Sequence, residues 1–222
     1  TIGMGKIYDP RSAGGRQDMD SISWSEPFIN VRAPSANTYK YRNEEVVEMV
    51  ERRREELGEI EGGWSEQIEA IFGEEGRPPT DRAEVPDEAY EDGKMAQMAT
   101  ERIQSFSKTK KPFFLAVGFR KPHLPFNAPE RYWQMYDRKA LPLPDVTDPP
   151  EGAPEFATQP GWELRNYDVP DEGPIPTSQK RTLIHGYYAC TSYIDAQVGK
   201  LLDALKEAGA ADNTIIVLWG DH

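Results

Sequence analysis

The chain has 222 residues, a net charge of -12 and 29% charged residues, with a mean hydropathy of -0.72 and a pI near 4.8. An acidic balance of this size disfavours nucleic acid and anionic membrane surfaces as partners, because both reward a basic face, and no apolar run approaches the roughly 20 residues of a membrane-spanning helix. An anionic substrate is not excluded, since a pocket can be locally positive through a bound cation and a few Lys or His side chains.

Residues 1 to 42 are rich in Gly, Ser, Pro and Arg and hold no sustained period, which predicts extended and loop structure without a helix. From Asn43 the pattern changes. Asn43 is a capping residue, Glu44 and Glu45 suit a first turn, and Val46, Val47, Val50 and Leu57 predict an amphipathic helix ending at Gly58. Residues 73 to 90 are turn-rich. A second helix follows, with Met95, Met98 or Ala99, Ile103 and Phe106 on one stripe. PFFLAVGF, from Pro112 to Phe119, predicts a buried strand covered on both faces. Pro122, Pro125 and Pro129 make the next segment a rigid loop rather than a continuing strand.

Residues 141 to 177 are dense in Pro, Gly and acids, and a loop of that length in a compact domain is functional or an insertion. Leu183, Tyr187, Ile194, Val198, Leu201, Leu202 and Leu205 predict a long helix from Ser178, ending near Gly209. NTIIVLWGDH then predicts a β-branched strand that opens into a loop at Gly220. The alternation of helices and strands predicts an α/β fold with a parallel or mixed sheet. Ligands in such sheets sit beyond the carboxyl ends of strands. The chain starts at Thr1 and stops at His222 directly after this strand, and so reads as a piece of a longer protein.

Several residues could carry chemistry. Asp221 and His222 pair a carboxylate with an imidazole at a strand end, where a divalent cation could be held; the same dipeptide also suits a polar turn. His123, between two prolines in KPHLPF, is preorganised as a general acid or an anion-binding imidazole, or is an ordinary loop histidine. Lys6 in MGKIYDP could offer a point charge to an oxyanion, or be solvated. His185 and Cys190 lie within the long predicted helix and suit packing roles; Cys190 is the only cysteine and forms no internal disulfide.

Taken in order, GKIYDP, SWSEPF, KPFFLAVGFRKPHLPFNAPERYWQMY, LPLPDV, GPIPTSQKR and YYACTSYIDAQVGKLLDALKEAGAADNTIIVLWGDH resemble sulfatases of the alkaline phosphatase superfamily, on the branch that includes the iduronate-2-sulfatases. The resemblance implies a central mixed β-sheet flanked by helices, of which residues 1–222 form part of one catalytic domain. It implies Asp221 and His222 as ligands of a divalent cation, usually calcium, with Lys6 and His123 contacting the sulfate group. It also implies a sulfated carbohydrate as substrate and export to a periplasmic, extracellular or lysosomal compartment. Its nucleophile is a formylglycine made from Cys or Ser in C/S-x-P-x-R. This chain contains no such motif, so the piece by itself is expected to be inactive; moreover, Asp9 stands where the related enzymes carry a histidine. Two other functions stay open: a phosphodiesterase or phosphonate hydrolase of the same superfamily, and a non-catalytic binding remnant.

Overall fold

A computed structural model describes residues 1–8, 20–34, 38–73, 75–109, 111–146, 148–157 and 161–220. The chain opens with β1 (Ile2–Gly5) and continues, after the helical pair α1 (Glu44–Leu57) and α2 (Trp64–Phe72), into β2 (Thr80–Ala83). Then come α3 (Glu91–Thr109), β3 (Leu115–Gly118), β4 (Phe126–Pro129), the single turn α4 (Glu130–Trp133) and α5 (Thr177–Glu207). The class is α/β. The described strands pair in two parallel ladders, β1 with β3 and β2 with β4.

Helices α3 and α5 form the centre. Met95 and Ala99 of α3 cover Ile2 and Met4 of β1, with Leu115 and Val117 of β3 beside them. Further along, Ile103 meets Ala204 and Leu205 of α5. The other end of α5 buries Ala189, Cys190 and Tyr193 against Ala128, Tyr132, Trp133 and Tyr90. A satellite core joins Met49 and Val50 of α1 to Ile71 and Phe72 of α2, closed by Tyr39 and Tyr41.

α1 begins where predicted, with Val46 N–H donating to Asn43 Oδ1 at 3.3 Å. The stripe Met95, Ala99 and Ile103 on α3 and the long α5 are also as predicted. Other features differ, among them α2 and a short 3-10 helix at Ser21–Ser23, neither of them predicted. β2 lies inside the segment read as turns, although Thr-Asp-Arg-Ala has little strand propensity; it forms because β4 supplies a ladder and Asp81 is buried with partners. β4 and α4 occupy what was predicted to be loop, Pro129 being tolerated as the last strand residue. β3 is only partly buried and Phe114 before it is exposed, so the strand is less covered than predicted. Residues 214–220 adopt no regular element: no described strand lies beside them to complete a ladder, and Ile215 is 94% exposed. Among the described residues no helix is long and apolar enough to cross a membrane.

Candidate active site

The parallel pairing of β1 and β3 sets Gly5 against Gly118, so both strands run out at the same edge. Gly5 turns the chain there with φ of 77°. Lys6 N–H then donates to Gly118 O at 2.6 Å. Only a glycine at 118 allows this approach, since a Cβ would lie 2.2 Å from the Lys6 carbonyl carbon. Lys6 therefore leaves β1 beside the point where β3 feeds, through Phe119, into the segment Arg120–Pro125. Both sequence-predicted catalytic residues arise at this one edge, beyond the carboxyl ends of parallel strands.

The His123 loop is held by buried charges. Asp92, 3% exposed on the first turn of α3, accepts the backbone N–H of Arg120 at 2.9 Å and of Lys121 at 3.0 Å. Lys121 folds back under its own loop and donates from Nζ to His123 O at 2.8 Å and Pro125 O at 2.5 Å. Burial, with the neighbouring Arg120, drives the Lys121 ammonium below the usual lysine range. Lys121 is thus a brace for the backbone, and its ammonium is spent on carbonyls. The peptide bonds before Pro122 and Pro125 are cis.

His123 Nδ1 lies 2.7 Å from Leu124 O. A carbonyl only accepts, so the proton sits on Nδ1 and Nε2 is the nitrogen that exchanges one. Nε2 lies 3.3 Å from Oε1 of Glu163, which belongs to the long 141–177 loop, and the loop thereby reaches the site. Burial lowers the His123 pKa; the Leu124 bond and the Glu163 carboxylate oppose this, and Lys40 and Lys121 add to it.

Lys40 enters from a different quarter. Residues 38–43 form a turn pinned to both strands of the second ladder, where Asp81 and Asn127 are register partners. Asp81 accepts the backbone N–H of Arg42 and Asn43, each at 2.8 Å, and the Tyr90 hydroxyl at 2.6 Å. Asn127 Nδ2 donates to Lys40 O at 2.5 Å. Tyr39 and Lys40 take φ of 52° and 79°, left-handed backbone that costs non-glycine residues on the order of 1–3 kcal/mol each. Burial, then the charges of Arg120 and Lys121, bring the Lys40 ammonium down to about 7. Sequence reasoning missed Lys40, Asp92 and Asn127; no local pattern marks them, because their roles come from contacts between distant segments.

The predicted metal ligands Asp221 and His222 lie outside the described residues, as does Asp9. Among the described residues no group of three or more His, Cys, Asp or Glu is placed to hold an ion. His185 and Cys190 are packing residues, as expected. His185 Nε2 lies 2.7 Å from Trp133 O while Nδ1 accepts from Arg138 Nε at 3.1 Å, and burial pushes the Cys190 thiol up to about 12. A cleft of about 460 Å³ between α3 and α5 is lined by Glu88, Glu101, Asp203 and Glu207, with Lys200 as the one cation among its lining residues. It shares no residue with the His123 loop, and its acidic lining disfavours an anionic ester.

Residues 10–222 match the family model for sulfatases. The chain belongs to the sulfatase family. The matched span includes His123, Asp221 and His222, whereas Lys6 precedes it. Human iduronate 2-sulfatase is 30% identical over 230 residues, covering 100% of this chain and 38% of the human protein. A sulfatase of Formosa agariphila is 36% identical over 157 residues, 68% of this chain and 29% of its own. A solved structure from Bacteroides fragilis, described as the sulfatase yidJ, is 28% identical with a TM-score of 0.39 and covers 57% of this chain and 23% of its own. The chain therefore spans well under half of the curated relatives it matches.

Proposed function

We propose that this sulfatase-family chain supplies one wall of a site that hydrolyses sulfate esters of carbohydrates, with Lys6 and His123 on the sulfate group. The observation that supports it best is the shared strand edge: Lys6 hydrogen-bonded to Gly118 at the end of β3, and His123 on a braced loop five residues further on. Departure of an alkoxide from a sulfate ester needs neutralised equatorial oxygens and a protonated leaving oxygen. Lys6 offers a point charge. His123, in its imidazolium form, offers the Nε2 proton, and the burial that lowers its pKa makes that imidazolium the stronger acid.

In this proposal Asp221 and His222 hold a divalent cation, expected to be calcium, and the carboxylate suits a hard ion; when bound, the cation would neutralise sulfate oxygens, with further ligands from elsewhere in the protein. The formylglycine nucleophile would likewise come from outside residues 1–222, and the compartment would be one reached by export. Substrate selection would fall to the 141–177 loop, whose Glu163 already touches His123.

The test is turnover of an aryl sulfate and of sulfated sugars by the full-length protein. His123→Ala and Lys6→Ala should each lower kcat by about 10²–10⁴, and a chelator should abolish activity. Hydrolysis of phosphate diesters or phosphonates with none of sulfate esters would overturn the proposal in favour of the related hydrolases; binding of sulfated sugar without turnover would favour a binding remnant.

A further inference from the structure

The turn that carries Lys40 is built at a cost that its backbone role does not require. Asn127 uses only the Lys40 carbonyl, and a glycine would adopt φ of 79° without strain. The side chain is therefore the part to account for. It is partly buried, and among the described residues its ammonium makes no hydrogen bond and no ion pair. The charges that act on it most strongly are the cations Arg120, Lys121 and Arg77, with the Glu91 carboxylate opposing them.

An ammonium held among like charges is costly unless an anion joins it. Two of the neighbours are already committed, Lys121 to its loop carbonyls and Arg77 to the face of Tyr167 at 4.3 Å. Arg120 is exposed, and among the described residues only its backbone is bonded. Lys40 and Arg120 thus present two uncommitted cations beside His123, in a protein whose overall charge is -12. The Glu163 carboxylate against His123 Nε2 shows that an anionic oxygen fits at this locus.

We infer that Lys40, with Arg120 beside it, is a substrate-recognition residue that takes a second acidic group, a carboxylate or a further sulfate, on a substrate whose sulfate ester sits at His123. The inference deepens the proposed function and rests on it. A compact ammonium on a pinned turn suits either kind of oxyanion, and it would favour substrates with two negative groups over those with one.

The experiment uses the full-length protein and matched substrate pairs: a sulfated uronic acid against its methyl ester, and a disulfated against a monosulfated sugar. Wild type should prefer the doubly charged member of at least one pair in kcat/KM. Lys40→Met should shrink that preference at least 10-fold, mainly through KM, and Lys40→Arg should restore most of it. Calorimetric binding of the same sugars is measured alongside, so that failure of turnover in wild type sinks the sulfatase proposal separately. In that event, at least 10-fold weaker binding of the doubly charged sugar by Lys40→Met still supports Lys40. Equal losses on both members of each pair, or no change in preference and binding, overturn the inference.

Discussion

Asp92→Asn tests whether the His123 loop is held from α3. Asp92 is 3% exposed and receives two backbone N–H groups, one on each carboxylate oxygen. An amide keeps one acceptor and turns an NH2 group toward the other N–H, so one charge-assisted bond is lost and a buried donor is left unmet. A hydrogen bond to a charged group contributes about 1.5–3 kcal/mol, and an unmet buried donor costs about 1–3 kcal/mol. The two overlap, which gives about 2–3 kcal/mol for opening the loop. At about 1.4 kcal/mol per tenfold, amide protection in a peptide covering residues 119–127 should fall roughly 30- to 150-fold in hydrogen exchange of the full-length protein. Lys121→Met should loosen the same peptide from the other side, by freeing His123 O and Pro125 O. Unchanged protection in folded Asp92→Asn protein would refute the bracing role.

Asp87 is 2% exposed and gathers Lys200 at 2.6 Å, Gln197 at 3.0 Å and Arg131. Burial opposes its charge, but the Lys200 and Gln197 bonds and the charges of Lys200 and Arg131 outweigh this and hold its pKa below the usual carboxylate value. The stabilisation is therefore present above the unfolded-state pKa of about 3.9 and is lost as pH falls through the lower folded value. Asp87→Asn should cost roughly 2–3 kcal/mol near neutral pH, less than a fully buried pair because Arg131 and Lys200 are about half exposed, and it should flatten the acid limb of a urea-midpoint profile. Cys190, fully buried and raised to about 12, should resist iodoacetamide at pH 8 in the native protein and react once it is unfolded; rapid native labelling would contradict the packing. Gly186→Ala places a Cβ 2.8 Å from Phe126 Cβ and 2.9 Å from the Trp133 ring, and should destabilise by about 1–3 kcal/mol in the same denaturation assay.

The helices were legible where local rules suffice. Asn43 caps α1 through its own side chain, and the spaced apolar residues of α3 and α5 announce the faces they bury. α2 was not legible: nine residues are too few to be stable alone, and it is held by Ile71 and Phe72 packing on Tyr39 and Tyr41. β2 was hidden for a related reason. Its Asp and Arg argue against a strand until the partner β4 and the pinned turn at Lys40 are in place.

The same division runs through the site. The amino-acid sequence by itself carried the sulfatase kinship and, through that resemblance, named Asp221, His222, Lys6 and His123 as candidates, because contiguous motifs keep their spacing without coordinates. Only the tertiary structure decided that Lys6 and the His123 loop share one strand edge, that Lys121 serves its own backbone, that Asp92 braces it, and that Lys40 arrives from more than 80 residues upstream. Those are long-range choices, made by parallel strand register and by the need of buried polar groups to find partners, and neither leaves a local mark in the chain.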